Sequence, residues 1–138
     1  MKNTLLLGLI VVLISYAGGP LHAIADEVHH PDSSPWAAPA KEAARKNPVP
    51  ADKASIARGG AIYNTHCALC HGEKGKGDGV AGSTLSPRPA DLTTHANHHS
   101  DGDLAWKIAH GRGVMPGFKN VLAEDQIWDV VNFIRKGM

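Results

Sequence analysis

Both cysteines of this 138-residue chain stand in one short stretch, His66-Cys67-Ala-Leu-Cys70-His71. Three positions apart, the two thiols share one helical turn, and a histidine follows the second directly. Three chemistries use such a pair. A zinc site wants two more thiolates or histidines at matching spacing, for which His95, His98 or His99 are available. A thioredoxin-like redox pair wants a surrounding βαβ pattern, and no strand alternation is found along the chain. Covalent haem attachment has the signature Cys-x-x-Cys-His. Thiols one turn apart can each form a thioether to a haem vinyl group, while the next residue aims its imidazole at the iron. The specificity of that signature and the lack of a second cysteine pair favour haem over the other two.

Residues 1–25 read as a secretory leader. Lys2 precedes an apolar run over 5–17, then Gly18-Gly19-Pro20 and a small-x-small site at Ala23-Ile24-Ala25. The run is short for a membrane span, so cleavage after Ala25 is expected, with no stable membrane insertion afterwards. An uncleaved anchor is the alternative. The location implied is periplasmic or otherwise exported. Cleavage removes one lysine from the 14 basic residues and leaves all 13 acidic ones, so the remaining chain is formally neutral. Neutrality argues against nucleic acid or an anionic membrane as the main partner. What remains suffices for one small domain. Its large aromatics are few: Trp36, Tyr63, Trp106, Phe118, Trp128 and Phe133. Such a domain gains much from a bulky apolar cofactor at its centre.

Residues 26–51 hold five of the nine prolines and show no helical or strand period, which predicts an extended arm that Trp36 can pin to the domain. From Asp52 onward, residues 52–138 form the folded domain. Ile56, Gly59, Gly60 and Tyr63 recur at helical spacing and mark one face of a helix running into Cys67. Two glycines on that face cost helix stability, which makes sense where another helix crosses closely. The glycine-rich run over 72–79 lacks a preceding strand and the Gly-Lys-Ser/Thr ending of a phosphate cradle, so it reads as a tight surface loop. Ser100 suits the N-cap of a helix that Gly111 ends, with Leu104 and Ile108 on one face and Trp106 and His110 on another. Ile127, Val130, Val131 and Ile134 form the stripe of a last helix, where Leu122 and Ile127 have the spacing of a hydrophobic staple.

These features together resemble a class I c-type cytochrome, with one haem per chain. The resemblance rests on Gly59 and Tyr63 before the cysteines and on Phe133 in the last helix. It implies an all-α small cytochrome c fold in which the N- and C-terminal helices cross and a haem c is covalently bound by Cys67 and Cys70. His71 is the implied proximal iron ligand. Met115, in Gly113-Val-Met-Pro-Gly-Phe118, matches the family's methionine loop as the other axial ligand, with His110 or the His95, His98 and His99 cluster as its rival. Pro116 biases Met115 toward extended backbone, which suits a residue held out toward a metal. The 86–92 segment resembles the stretch whose proline carbonyl accepts the proximal histidine's ring N–H. Pro89 is the better fit there, Pro87 the alternate, and Arg88 is placed to pair with a haem propionate.

The function implied is one-electron transfer between a redox donor and a redox acceptor, by a monomeric carrier and not an enzyme. Docking is expected on an apolar patch including Val114 and Phe118, with Lys74, Lys76 and Lys119 as a modest basic rim. Two alternatives stand beside it. One is copper or zinc binding or sensing through His95, His98 and His99; the other is a haem sensor or enzyme subunit with an open sixth position.

Overall fold

A computed structural model describes residues 36–138. The leader expected over 1–25 and the first part of the arm lie outside the described residues. The helices are α1 (Ala40–Ala43), α2 (Lys53–His66), α3 (Ala68–His71), α4 (Leu92–His95), α5 (Asp101–His110) and α6 (Glu124–Lys136). Short 3-10 turns lie at Gly82–Thr84 and Ala96–His98. Among the described residues there is no strand, only an isolated bridge between Arg112 and Met115.

Asp52 starts α2 by accepting the amide of Ser55 on its carboxylate at 2.7 Å. Ser100 starts α5 likewise, accepting from Asp103 N at 3.1 Å. At α6 the N-cap Ala123 has no side-chain acceptor. There Gln126 reaches back to accept the Ala123 amide at 2.9 Å, while Leu122 and Ile127 are both buried, as a staple requires. The stripe of α6, Ile127, Val130, Val131 and Ile134, packs with Leu104 and Ile108 of α5 into one core.

Helices α2 and α6 cross at the two glycines. A Cβ on Gly59 would lie 2.0 Å from the carbonyl oxygen of Asp129, and one on Gly60 would lie 3.1 Å from the Phe133 ring. The first is an impossible contact with backbone, so Gly59 is the point of closest approach. Tyr63, one turn on, is fully buried with its ring 5.2 Å from that of Phe133. A polar seam runs along the edge of this crossing. Ser55 Oγ donates to Asp129 Oδ1 at 2.6 Å, Arg58 Nε donates to Asp129 Oδ2 at 2.7 Å, and Asn132 Nδ2 donates to Ser55 Oγ at 2.8 Å. Burial works to raise the Asp129 pKa, but the bonds from Arg58 and Ser55 outweigh it and hold the carboxyl below its ordinary range.

The described part of the arm differs from the extended segment expected for it. Pro39 precedes the helix-forming run Ala40-Lys-Glu-Ala43, which makes one helical turn because proline suits a helix start and those residues favour its continuation. The described part of the arm is also fastened to the domain at several points. Ala38 N donates to Asp103 Oδ1 at 2.7 Å, Ser100 Oγ donates to the Ala43 carbonyl at 2.6 Å, and Asn47 Nδ2 donates to Asn132 Oδ1 at 2.8 Å. Arg45 lies 5.3 Å from the Trp128 ring centroid and pairs with Glu124.

Candidate functional site

Cys67 ends α2, its amide bonded to the Tyr63 carbonyl at 2.8 Å, and α3 follows at once as a single turn carrying Cys70 and His71. Neither cysteine is in a disulfide, and both are partly buried. A one-turn helix leaves its last carbonyls unpaired unless something else meets them. The glycine-rich loop does this. Gly77 N donates to His71 O at 2.8 Å, Gly79 N to Cys70 O at 3.2 Å and Ala81 N to Leu69 O at 3.0 Å. The loop lies so close that a Cβ on Gly79 would stand 2.4 Å from Leu69 O, and one on Gly82 2.2 Å from Cys70 O. Sequence reasoning recognised this run only as a tight loop. Its amides are engaged by the cysteine turn, which explains its glycines without any phosphate. Tyr63 adds a further tie, donating its hydroxyl to Gly72 O at 2.7 Å.

His71 Nδ1 lies 3.1 Å from the carbonyl oxygen of Ala90. The expected acceptor was Pro89, and the structure corrects that by one residue. The Pro89 carbonyl instead faces Gly77, where a Cβ would come within 2.3 Å of it; successive carbonyls point different ways, so the next one meets the imidazole. With Nδ1 engaged as a donor, Nε2 is the nitrogen left for a metal. Burial holds the His71 pKa below the ordinary imidazole value against the opposing Ala90 bond, so the ring is neutral, the form that ligates. Burial, with Cys70 as a lesser contributor, pushes the Cys67 thiol up to about 11. That is opposite to the lowered pKa of a redox-active Cys-x-x-Cys pair.

Met115 stands on a separate element, in the turn after α5. Arg112 and Met115 exchange both backbone hydrogen bonds at 3.0 Å, with Gly113 in the left-handed region at φ 59°. Gly111 is required as well: its φ is 64°, and a Cβ there would lie 2.3 Å from Met115 O. Beyond the turn the chain is stitched back to α5 by Phe118 N to Ile108 O at 3.0 Å and Lys119 N to Ala109 O at 3.1 Å. The Met115 side chain is half-buried against the core.

The other candidate residues are placed as follows. His110, the rival ligand, is exposed, stacked on Trp106 at 4.8 Å, with Nδ1 3.0 Å from the Trp106 carbonyl. Arg88 is exposed. Phe118, expected on an open docking patch, is buried and meets the His66 ring edge-on at 5.8 Å. The metal-binding reading of His95, His98 and His99 is not supported. Among the described residues no group of three or more His, Cys, Asp or Glu side chains converges to hold a metal ion. His95 and His98 are exposed, whereas His99 Nδ1 turns inward to Asp103 Oδ2 at 2.8 Å, drawn by a buried carboxylate that Lys107 Nζ also meets at 2.6 Å.

The donor set suits covalent haem: two unlinked thiols on one turn, a neutral imidazole with its outer nitrogen already oriented, and a thioether on a braced turn. A family profile described as cytochrome C oxidase, cbb3-type, subunit III matches residues 54–134. The chain is 31% identical over 81 residues to cytochrome c6 of Leptolyngbya boryana, covering 59% of this chain and 91% of that one. To cytochrome c6 of Limnospira maxima it is 32% identical over 82 residues, covering 57% and 89%. It is also 36% identical over 85 residues to the cytochrome c subunit of alcohol dehydrogenase (quinone) from Gluconobacter oxydans; this is 57% of the present chain but only 18% of that subunit. Among solved structures, a chain of the reducing HAO-like protein complex of Kuenenia stuttgartiensis superposes with a TM-score of 0.56 at 25% identity, covering 63% of this chain and 45% of that one. The profile takes in the α2–α6 crossing, the cysteine turn and the methionine turn alike, and the chain therefore belongs to the cytochrome c family as a monohaem class I c-type cytochrome, which transfers electrons with a covalently bound haem c.

Proposed function

We propose that the protein is a carrier of single electrons between a donor and an acceptor protein outside the cytoplasm, and that His71 and Met115 would be the two protein ligands of the haem iron. The bound haem supplies the one-electron Fe(II)/Fe(III) couple. Cys67 and Cys70 hold it by thioethers, so a small domain does not lose it. Ala90 sets the tautomer and orientation of His71, and its hydrogen bond raises the basicity of the ligating nitrogen. Met115 would supply the second ligand to a bound haem iron, which would leave no open site for catalysis and favours a carrier over an enzyme. Arg88, exposed on the segment just before Ala90, is assigned to a haem propionate.

The observation that supports this most is the backbone pairing of Arg112 with Met115, because it braces the only thioether on the folded domain other than the terminal Met138. Export is inferred from the leader over 1–25; among the described residues no helix is long and apolar enough to cross a membrane. Partners are expected to dock, one monomer at a time, where exposed apolar side chains flank both ligand-bearing elements: Leu69 is 61% exposed, Val80 77% and Val114 58%. Visible spectra of the purified protein test the ligation. A low-spin ferric form with a thioether-to-iron charge-transfer band is expected, whereas a high-spin ferric spectrum would refute the closed sixth position.

A further inference from the structure

Trp36 lies between two cations on different elements. Its ring centroid is 4.7 Å from the Arg112 guanidinium carbon and 5.6 Å from Lys107 Nζ. Lys107 belongs to α5, whereas Arg112 is the residue whose backbone pairs with Met115. The indole therefore bridges the rigid helix and the methionine turn. Its placement is anchored two residues later, where the buried Ala38 amide donates to Asp103 Oδ1, one turn of α5 before Lys107. Asp103 Oδ2 pairs with Lys107 itself at 2.6 Å, so arm, helix and indole form one connected unit.

We propose that the arm segment 36–38 is a strap that holds the Met115 turn closed, and that Trp36 is a positioning residue for the sixth iron ligand. This rests on the reading of Met115 as that ligand. A contact shifts a two-state equilibrium only if it differs between the states. The Trp36–Arg112 contact meets that condition. Were the Met115 turn to open, both backbone hydrogen bonds that define it would break, and Arg112 would no longer be held over the indole. The strap thus opposes any exogenous ligand that has to displace Met115.

The test measures imidazole binding to the ferric holoprotein, followed by loss of the thioether charge-transfer band. Trp36→Ala is expected to tighten imidazole binding by about 3- to 10-fold, the size expected from one partly exposed cation–π contact. Trp36→Phe, which keeps an aromatic face, should bind within about twofold of the parent. Arg112→Gln retains the backbone pairing but removes the guanidinium; it should tighten binding as Trp36→Ala does, and the double variant should add little to either. Should Trp36→Ala not accumulate as folded holoprotein, Arg112→Gln decides alone. Ile134→Val, a mild truncation on α6, outside the arm and the methionine turn, controls for general loosening of the core; an equal gain there would reduce Trp36 to a packing residue and overturn the proposal. So would imidazole affinities unchanged within about twofold in both Trp36→Ala and Arg112→Gln, while Met115→Ala still loses the band. If Met115→Ala keeps the band, the ligand reading fails, and this inference falls with it.

Discussion

The elements that carry the two proposed iron ligands are built to different standards. His71 leaves a turn whose last three carbonyls each accept a loop amide, beside glycines that leave no room for a methyl group. Met115 leaves a turn closed by one pair of backbone bonds, and at its tip Gly113 has nothing within 4 Å of where a Cβ would be. The histidine side is over-determined by local contacts, whereas the methionine side has local ties at its base, an open tip and, in the proposed strap, a brace from elsewhere in the chain. An attachment point benefits from having one geometry. A ligand that tunes the iron can tolerate a shallower well.

The largest expected effect removes the histidine side altogether. Cys67→Ala combined with Cys70→Ala should eliminate covalent haem, read as loss of haem staining on a denaturing gel, and leave the domain largely unfolded, because the haem supplies much of its apolar core. Persistent staining would refute the attachment. Next come matched glycine changes. Gly79→Ala drives a methyl into the Leu69 and Cys70 backbone and should cost about 3 kcal/mol, while Gly113→Ala meets open space and should cost only about 1 kcal/mol for its left-handed φ. Denaturant unfolding of the two holoproteins measures both, and equal costs would erase the contrast. On the methionine side, Met115→Ala should lower the reduction potential by on the order of 0.1 V, within the ~0.8 V that axial ligands span, and should admit imidazole. An oxidised spectrum identical to the parent's would assign the sixth position to another group. The smallest effect concerns docking. With apolar side chains flanking both elements and the formal neutrality expected once the proposed leader is removed, the bimolecular rate with a redox partner should fall less than about tenfold from low to high salt.

Much of this was legible in the residues because the signals are local. Cysteine spacing, the glycines and tyrosine at helical intervals in α2, the Ser100 cap and the α6 stripe each describe their own segment, and the structure shows the helices where those segments lie. What escaped were contacts made by backbone atoms. Any residue type offers the same carbonyl, so nothing in the sequence distinguishes Ala90 from Pro89 as the acceptor for His71. The loop glycines were visible, but which carbonyls their amides would meet was not. Gly59 and Gly60 looked equivalent as well, and only the crossing separates them into a backbone contact and a ring contact. In the arm, the pinning by Trp36 was expected, but the helical turn at Ala40–Ala43 and the other ties were not. Its prolines signal extended chain, while its fastening to Asp103 and Asn132 depends on partners many residues away.

The α2–α6 crossing also bears on the order of events during synthesis. It joins Gly59 to the backbone of Asp129, so it cannot close until nearly the whole domain has emerged. In a chain that appears N-terminus first, at ~5–20 residues per second, α2 and the cysteine turn precede α6 by a few seconds. Through that interval the thiols lie on a segment that the last helix has not yet capped. Because the domain is expected to stay largely unfolded without covalent haem, attachment at the cysteine turn is expected to precede the docking of α6 and not to race against it.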